Sequence, residues 1–294
     1  MSPEIEVNAM REYEALPFAQ ERYGLGESPF YDPRYRRLSW VDISSGRLYE
    51  LMDGKQNCYD FEEPIGAAIP LKDSSGFLVA GKSCLWKFEE GKKEMVCDLT
   101  SLYEPWQRSN DAKADPFGRI FFGSSKCVEE HEDGGNLFRF AGGTVTCVQK
   151  DTKISNGMAW NRDRTKFFFS DSLCHGIFVY DYDSETGDIS DRRMLFAVED
   201  GVSDGMCIDS RDRLWTAIWG GNRVECRNSE TGELEAVIHV PAKHVTSCCF
   251  YGEKLDELFI TTSGDQLTGE GDGRLYHCKA ETCGVPMDYA DIHA

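Results

Sequence analysis

The chain has 294 residues, which is enough for one large domain or two ordinary ones. Hydrophobic residues make up 40% of the chain and aromatic residues 12%, so a mainly disordered protein is excluded. The formal net charge of −19 would repel polyanions, and we therefore expect neither a nucleic-acid partner nor an anionic membrane partner.

The N-terminal sequence and the cysteines indicate a compartment. Residues 1–26 contain no apolar core of the kind found in secretory signals, and no stretch is apolar for long enough to span a bilayer. The twelve cysteines are scattered without any CxxC spacing. Reduced thiols that pack as small hydrophobic groups explain this pattern better than disulfides or thiolate-bound zinc. The sequence therefore predicts a cytoplasmic protein.

Short β-rich runs follow one another along the chain in six pairs. Each run is rich in aromatic or β-branched residues and is bounded by Gly, Asp or Ser, as strands are. Long segments with helical periodicity are missing. In chain order, the first runs are RLSWVDI, GFLVAG, RIFFGS, KFFFSDS, RLWTAI and ELFITTS, and the second runs are GRLYEL, CLWKF, GNLFRF, GIFVYDY, NRVECRN and GRLYHC. The pattern predicts an all-β protein.

The turn residues before the first runs recur at intervals of 41 to 48 residues. A period in the forties built from several short strands is typical of β-propeller blades. A β-sandwich would explain the strands but not this spacing. We therefore predict a six-bladed β-propeller forming a single domain over residues 1–294, in which residues 1–20 close the ring against the last blade. The six turn residues are Asp32, Asp73, Asp115, Asn161, Asp209 and Gly252.

Two nearly identical stretches point to a shared polar site. ISNGMAWN and VSDGMCID differ at their polar position, where the first has Asn156 and the second Asp204. Both residues stand five positions before a turn residue, as do Glu27 and Asn110, whereas the other two repeats have Ala68 and Ser247 there. In a propeller these positions would form a ring at one mouth of the channel. Asp and Asn beside Gly are also common turn formers, but oxygen donors in matching register predict a site for Ca²⁺, Mg²⁺ or Mn²⁺.

Other catalytic chemistries have no support. GxSxG, Walker A and HExxH motifs are missing, and the six histidines show no metal-ligand spacing. Arg108 stands two residues before Asn110, so its side chain is a candidate for holding a polar substrate at the mouth. The loop SSKCVEEHEDGG, which contains Glu129, is a second candidate. Surface solvation would explain both features equally well.

Several motifs together resemble a known family. GLGESPFYD, SNDAKADPFGRIFFG, ISNGMAWN, VYDYDSETGDISDRR, VSDGMCIDSRDRLWTAIWGG and VTSCCFYGEKLDELFITTS occur in order over residues 21–265. In these motifs the chain resembles the regucalcin/gluconolactonase family, also called the senescence marker protein and luciferin-regenerating-enzyme family. The resemblance implies a six-bladed propeller that hydrolyses sugar lactones with one divalent cation at its channel mouth.

The resemblance also implies roles for individual residues. By motif, the metal ligands fall on Glu27, Asn156 and Asp204, and the substrate-binding residues on Arg108 and Asn110. A substrate-contacting Glu of the family has its nearest counterpart in Glu129. The sequence departs from the family at Ser124-Ser125, where Thr-Met is usual, and after Gly273. The stretch LWTAIWGG is closer to bacterial sugar lactonases, including those for pentonolactones.

These residues give a working hypothesis for the reaction. The cation (Ca²⁺, Zn²⁺, Mn²⁺, Mg²⁺ or Fe²⁺) would polarise the carbonyl of a lactone such as gluconolactone or xylonolactone, and Asp204 would act as general base. Arg108 and Asn110 would hold ring hydroxyls. Two alternatives stay open: a Ca²⁺-binding regulatory or interaction propeller without catalysis, and a metal-dependent phosphotriesterase. The identity of the metal, the lactone and the oligomeric state are not determined by the sequence.

Overall fold

The computed structural model describes residues 10–126, 131–132 and 134–294. This part of the chain forms 25 strands and one short 3-10 turn, Ser172–Cys174, and it contains no α-helix. The predicted all-β class is thereby confirmed. Nothing in the described residues forms a helix long and apolar enough to cross a bilayer.

Four separate sheets account for most of the first two thirds of the chain. In each sheet four strands follow one another in an antiparallel meander. The first sheet consists of β3 (Gly26–Asp32), β4 (Arg37–Asp42), β5 (Arg47–Met52) and β6 (Lys55–Asp60). The second consists of β7 (Ile65–Pro70), β8 (Phe77–Gly81), β9 (Cys84–Glu89) and β10 (Lys92–Asp98). The third consists of β11 (Gln107–Ala114), β12 (Ile120–Lys126), β13 (Gly135–Ala141) and β14 (Thr144–Thr152). The fourth consists of β15 (Ser155–Trp160), β16 (Lys166–Asp171), β17 (Gly176–Tyr182) and β18 (Ile189–Ala197).

The remaining strands form one nine-stranded sheet. It joins two groups through a single residue pair, Trp219 with His244. The first group contains β19 (Val202–Ile208), β20 (Arg213–Trp219), β21 (Arg223–Asn228) and β22 (Leu234–His239), with β1 (Arg11–Glu14) parallel to β22. The second contains β23 (His244–Tyr251), β24 (Glu257–Ser263) and β25 (Tyr276–Lys279), with β2 (Leu16–Pro17) antiparallel to β25. The N-terminal strands thus pair with both groups.

The first strands of the groups contact one another in a closed circle. β3 contacts β7, and the contacts continue through β11, β15, β19 and β23 back to β3. The fold is therefore all-β and propeller-like, with these strands around its axis. The structure does not consist of six separate sheets, because β20 and β23 pair where the last two groups of strands meet.

Apolar side chains between neighbouring sheets hold the ring together. Between the first two sheets, for example, Val41, Ile65, Val79 and Phe88 belong to one buried cluster. Burying a side chain of this size stabilises a fold by about 1.5–3 kcal/mol. Because every sheet packs against two neighbours, the core is a succession of such layers around the axis.

The turn residues that mark the repeat are structural. Asp115 is fully buried, its Oδ2 lies 2.6 Å from Nε of Arg119, and its Oδ1 accepts the backbone N–H of Phe117 at 2.9 Å. Asp209 and Arg213 repeat this arrangement in β19–β20 with a carboxylate–guanidinium distance of 2.8 Å. The buried carboxylates are thus paired with guanidinium groups. They fix the turns that follow the first strands, at the opposite end of the ring from the starts of those strands.

The C-terminal segment crosses that same end of the ring. It forms isolated bridges from Gly284 to Asp209 and from Ala290 to Leu71. The N–H of Asp291 donates to the carbonyl of Gly118 at 2.9 Å. Residues 285–288 also line one side of a cavity of about 80 Å³ within the channel. The segment that the family motifs do not cover therefore ties several sheets together.

Candidate active site

A β-bulge sets the position of three polar residues. The strand registers shift after Ser109, after Ser155 and after Ser203. The residues that follow these three serines are Asn110, Asn156 and Asp204, with exposures of 8%, 6% and 5%. Bulges re-aim side chains and are common beside functional sites. The matching register expected for these three residues is therefore present.

Glu27 occupies a different register position. It pairs with Val41 just before the bulge of β3, where the other three strands have serine. The next residue, Ser28, has a φ of 47° and donates its N–H to Oε2 of Glu27 at 2.8 Å. The expected equivalence is thus wrong by one residue. Because the side chain of Glu is one methylene longer than that of Asp, it suits a strand position that lies one residue before the bulge.

The other two repeats also differ from the expected register. Ala68 and Ser247 are ordinary paired residues, opposite Val79 and Thr261. The register shifts of β7 and β23 instead lie around Gly66 and Thr246. The reason is that the turns after the first strands differ in length, so counting back from a turn residue does not preserve the register.

Two buried carboxyl groups meet at the centre of the site. Glu27 and Asp204 are each 5% exposed, and they are close enough for each to affect the pKa of the other. Burial raises the pKa of Glu27, and the charge of Asp111 raises it further. Burial likewise raises the pKa of Asp204, followed by the charges of Glu27 and Asp111. Without a cation, both groups are held in an environment that disfavours their charged forms.

A chain of hydrogen bonds joins the two predicted amides, Asn110 and Asn156, to Arg108 and Ser172. Nδ2 of Asn110 donates to Oδ1 of Asn156 at 2.9 Å, and Nη1 of Arg108 donates to Oδ1 of Asn110 at 2.7 Å. Nδ2 of Asn156 donates to the hydroxyl of Ser172 at 2.8 Å, and that hydroxyl donates to the carbonyl of Ser203 at 2.6 Å. Both amides are consequently fixed in orientation, and the charge of Arg108 acts on Glu27.

Five of the six predicted site residues therefore come together: Glu27, Arg108, Asn110, Asn156 and Asp204. The sixth, Glu129, lies outside the described residues. Among the side chains that the structure describes, no three of His, Cys, Asp or Glu form a metal-binding cluster. The expected ligand set has two carboxylates and one amide, so only two of its three side chains are of these four types.

The chemistry of the donor set fits a hard divalent cation. All three side chains offer oxygen, which is the ligand that Ca²⁺ and Mg²⁺ prefer. Oδ1 of Asp204 is buried and has no hydrogen-bond partner in the part of the chain that the structure describes. Buried polar atoms normally have a partner, and two carboxyl groups in contact need a counter-charge. One bound cation would satisfy both requirements.

Sequence reasoning missed two residues of this site. Asp111 is 4% exposed, its Oδ2 has no hydrogen-bond partner within the described ranges, and burial raises its pKa. Ser172, in the 3-10 turn, orients Asn156. The adjacency of Asp111 to Asn110 was a usable signal, since both belong to one bulge. Ser172 lies sixteen residues from Asn156 and offered no local signal.

Comparisons with known proteins identify the family of the chain. Residues 25–264 match the family described as the SMP-30/Gluconolactonase/LRE-like region, and the chain belongs to that family. The resemblance drawn from the motifs is thereby confirmed.

Particular relatives cover nearly the whole chain. Pentonolactonase XacC of Haloferax volcanii is 33% identical over 283 residues, which are 91% of this chain and 95% of the relative. Regucalcin of Gallus gallus is 30% identical over 261 residues, which are 85% and 87% of the two chains. A solved structure of a luciferin-regenerating enzyme superposes with a TM-score of 0.88 at 26% identity, covering 94% of this chain and 99% of the other.

Proposed function

We propose that this protein hydrolyses a sugar lactone, such as gluconolactone or xylonolactone, to the free aldonic acid with the help of one divalent cation. The observation that carries the proposal is the buried pair of carboxyl groups, Glu27 and Asp204, beside the oriented amide of Asn156. A relative named as a pentonolactonase supports the substrate class. Glu27, Asn156 and Asp204 would hold the cation, which would supply Lewis acidity at the ester carbonyl.

The proton transfers fall to Asp204. Its carboxylate takes a proton from the water that attacks the carbonyl carbon, and the proton then passes to the ring oxygen as the C–O bond breaks. Water and lactone are thereby converted to one hydroxy acid.

Arg108 and Asn110 position the substrate. Nη1 of Arg108 donates to the carbonyl of Ser109 at 2.8 Å and to Oδ1 of Asn110 at 2.7 Å, so the positive charge of the guanidinium is held beside the amide, where it would attract ring hydroxyls. Asn110 is itself anchored by Ser155 O and Asn156, so a hydroxyl bound to it is held at a fixed place relative to the carboxylates. Such positioning lowers the barrier by holding the carbonyl where water can attack. We also propose that Glu129 contacts the substrate, as the family resemblance implies.

The test is a pH-stat assay with a panel of aldonolactones. We expect turnover that disappears with chelator and returns with added Ca²⁺, Zn²⁺, Mn²⁺, Mg²⁺ or Fe²⁺, and a loss of at least about a hundredfold in kcat for Asp204→Ala. The exposed residue Met194 supplies a control, since Met194→Ala should retain activity. Cation binding measured by calorimetry without lactone turnover would instead favour a non-catalytic Ca²⁺-binding propeller. Turnover of an organophosphate triester alone would indicate a phosphotriesterase.

We further propose that the ring has six blades and that the chain is one domain. The circle of six contacting first strands supports this count, and the pairing of β1 and β2 with the last two groups supports a ring closed by the N-terminal segment. The eleven cysteines within the described residues are all free thiols, which favours a reducing, cytoplasmic location.

A further inference from the structure

A stacked pair of aromatic rings lies beside the candidate site. The rings of Trp219 and His244 are 3.9 Å apart between centroids, with planes inclined by 13°. Trp219 is the last residue of β20, and His244 is the first residue of β23. Because the first strands begin at the end of the ring that carries the site, both rings stand at the mouth of the channel.

The strand register places Trp219 close to the reacting groups. Trp219 pairs with Val202, which is two residues before Asp204 on the neighbouring strand. Its other neighbour, His244, begins the strand that contacts both β19 and β3, and β3 carries Glu27. The stacked pair therefore borders the two carboxyl groups from the β19–β23 side.

The substrate-holding residues lie on the other side of the mouth. Arg108 and Asn110 belong to β11, which is separated from β19 by β15 and from β23 by β7 and β3. A ring held by its hydroxyls at β11 would thus extend towards Trp219. The mouth has a cationic and amide wall on one side and an aromatic wall on the other.

The aromatic wall offers an uncharged, apolar surface. Trp219 and His244 are both partly exposed. Nδ1 of His244 is buried without a hydrogen-bond partner among the described residues, so stacking on the indole is its evident interaction. Burial and then the charge of Lys243 lower the pKa of His244, which keeps the imidazole neutral at pH 7. A neutral imidazole can support the indole without placing a cation at this wall.

A sugar ring is complementary to two such walls. Its hydroxyls are hydrogen-bonding groups, whereas the C–H groups on one face form an apolar surface that packs on aromatic rings. We propose that Trp219, supported by His244, is the platform on which the C–H face of the lactone ring stacks, and that this contact selects among epimers. The inference rests on the proposed lactonase function and adds a specificity-determining residue to it.

If Trp219 is a platform for the substrate, replacing it should have a different effect than if it only links the last two groups of strands. An axial hydroxyl that projects from the stacked face would disturb the contact, whereas an equatorial one would not. The informative quantity is therefore the ratio of kcat/KM for two epimeric lactones, gluconolactone and galactonolactone. A residue that only joins the sheets would change both values together and leave their ratio constant.

The experiment compares Trp219→Leu, Trp219→Phe and Phe117→Leu in the cation-loaded protein. We expect Trp219→Leu to change the epimer ratio about tenfold, mainly through KM, which corresponds to about 1.4 kcal/mol. Trp219→Phe should keep the ratio within about threefold, because a six-membered aromatic ring remains. Phe117→Leu removes a ring that is 40% exposed in the turn between β11 and β12, at the other end of these strands, and should leave the ratio unchanged.

A binding measurement gives an independent readout. Titration with a sugar lactam, whose ring nitrogen prevents hydrolysis, should change the indole emission of the wild type, and Trp219→Phe should lose this change while still binding the lactam. This titration tests the platform even if Trp219→Leu fails to fold. An unchanged epimer ratio in Trp219→Leu, or an emission change that survives in Trp219→Phe, overturns the platform. Absence of lactone turnover in the wild type overturns the proposed function instead.

Discussion

Replacing Asp204 by Asn should stabilise the cation-free protein while abolishing its response to cations. In the cation-free state the carboxyl groups of Glu27 and Asp204 are buried neighbours, and Asp111 adds a third acidic group. Asn has nearly the same shape as Asp but carries no charge, and its amide N–H₂ can donate to Glu27. The substitution therefore removes a repulsion and adds a hydrogen bond.

The size of the effect follows from the charges. Two unit charges about 4 Å apart interact by about 4 kcal/mol at an effective dielectric constant of about 20. Because the raised pKa values leave the pair partly protonated at pH 7.5, we expect about half of this, roughly 2 kcal/mol. With an unfolding entropy of about 2.1 cal/mol/K per residue, the melting temperature of Asp204→Asn should rise by about 3 °C in chelator.

The direction of the pKa shift also determines how the stability of the protein depends on pH. A carboxyl group whose pKa is raised on folding binds more protons in the folded state, so its presence lowers the stability as pH rises from the ordinary pKa to the folded one. The advantage of Asp204→Asn should therefore be largest near pH 8 and should disappear below about pH 3, where the carboxyl groups are protonated in both states.

The assay is thermal unfolding of both proteins in chelator and in saturating cation. At a hundredfold excess over Kd, the cation should stabilise the wild type by about 2.7 kcal/mol and Asp204→Asn much less, so that the order of stabilities reverses. Asp115→Asn is the matched control, because this buried carboxylate is paired with Arg119 and its loss should destabilise the protein in both conditions. A cation-free Asp204→Asn that melts below the wild type would refute the reasoning.

Two further predictions concern groups around the site and at the other end of the channel. Ser172→Ala removes the hydroxyl that orients Asn156, so calorimetry should show cation affinity lower by about tenfold. Ser170→Ala removes a hydroxyl of β16 that lies 2.7 Å from Ser203 Oγ on β19, and it should leave the affinity unchanged. Burial, and then Asp115, raise the pKa of Asp288 to about 6, so Asp288→Asn should stabilise the protein by about 3 kcal/mol at pH 7.5 and by less than about 1 kcal/mol at pH 4. Chemical denaturation at both pH values checks this, and an equal effect at both would contradict it.

The strands could be predicted from the sequence because each has a local signal. Runs such as KFFFSDS and ELFITTS become β16 and β24 with their flanking turns. The paired Asp–Arg turns also repeat locally, since Asp115 and Asp209 each bond the residue four positions later. The pairing of the last two groups through Trp219 and His244 depends on how closely two strands approach in space, and no local pattern reports that distance.

The strand register of the polar positions was predictable to within two residues, and the errors have a common cause. Asn110, Asn156 and Asp204 share a bulge position, but Glu27 stands one residue earlier and Gly66 replaces Ala68 in the second sheet. A bulge inserts an extra residue whose place depends on hydrogen bonding between strands. Counting back from a turn residue therefore locates the part of the strand that carries the polar residue. The exact position of the bulge can be read only from the structure.

Charge balance explains why the repeated motif has an amide in one copy and a carboxylate in the other. In the proposed metal site, a cation of charge +2 would be neutralised by Glu27 and Asp204, and Asn156 would add an oxygen ligand without a further charge. A third carboxylate at that position would be buried next to Asp111, whose charge already acts on the other two. Lys113 partly offsets Asp111 by favouring its ionised form. The exchange between Asn156 and Asp204 therefore keeps the number of oxygen donors while limiting the negative charge that the cation-free protein must bury.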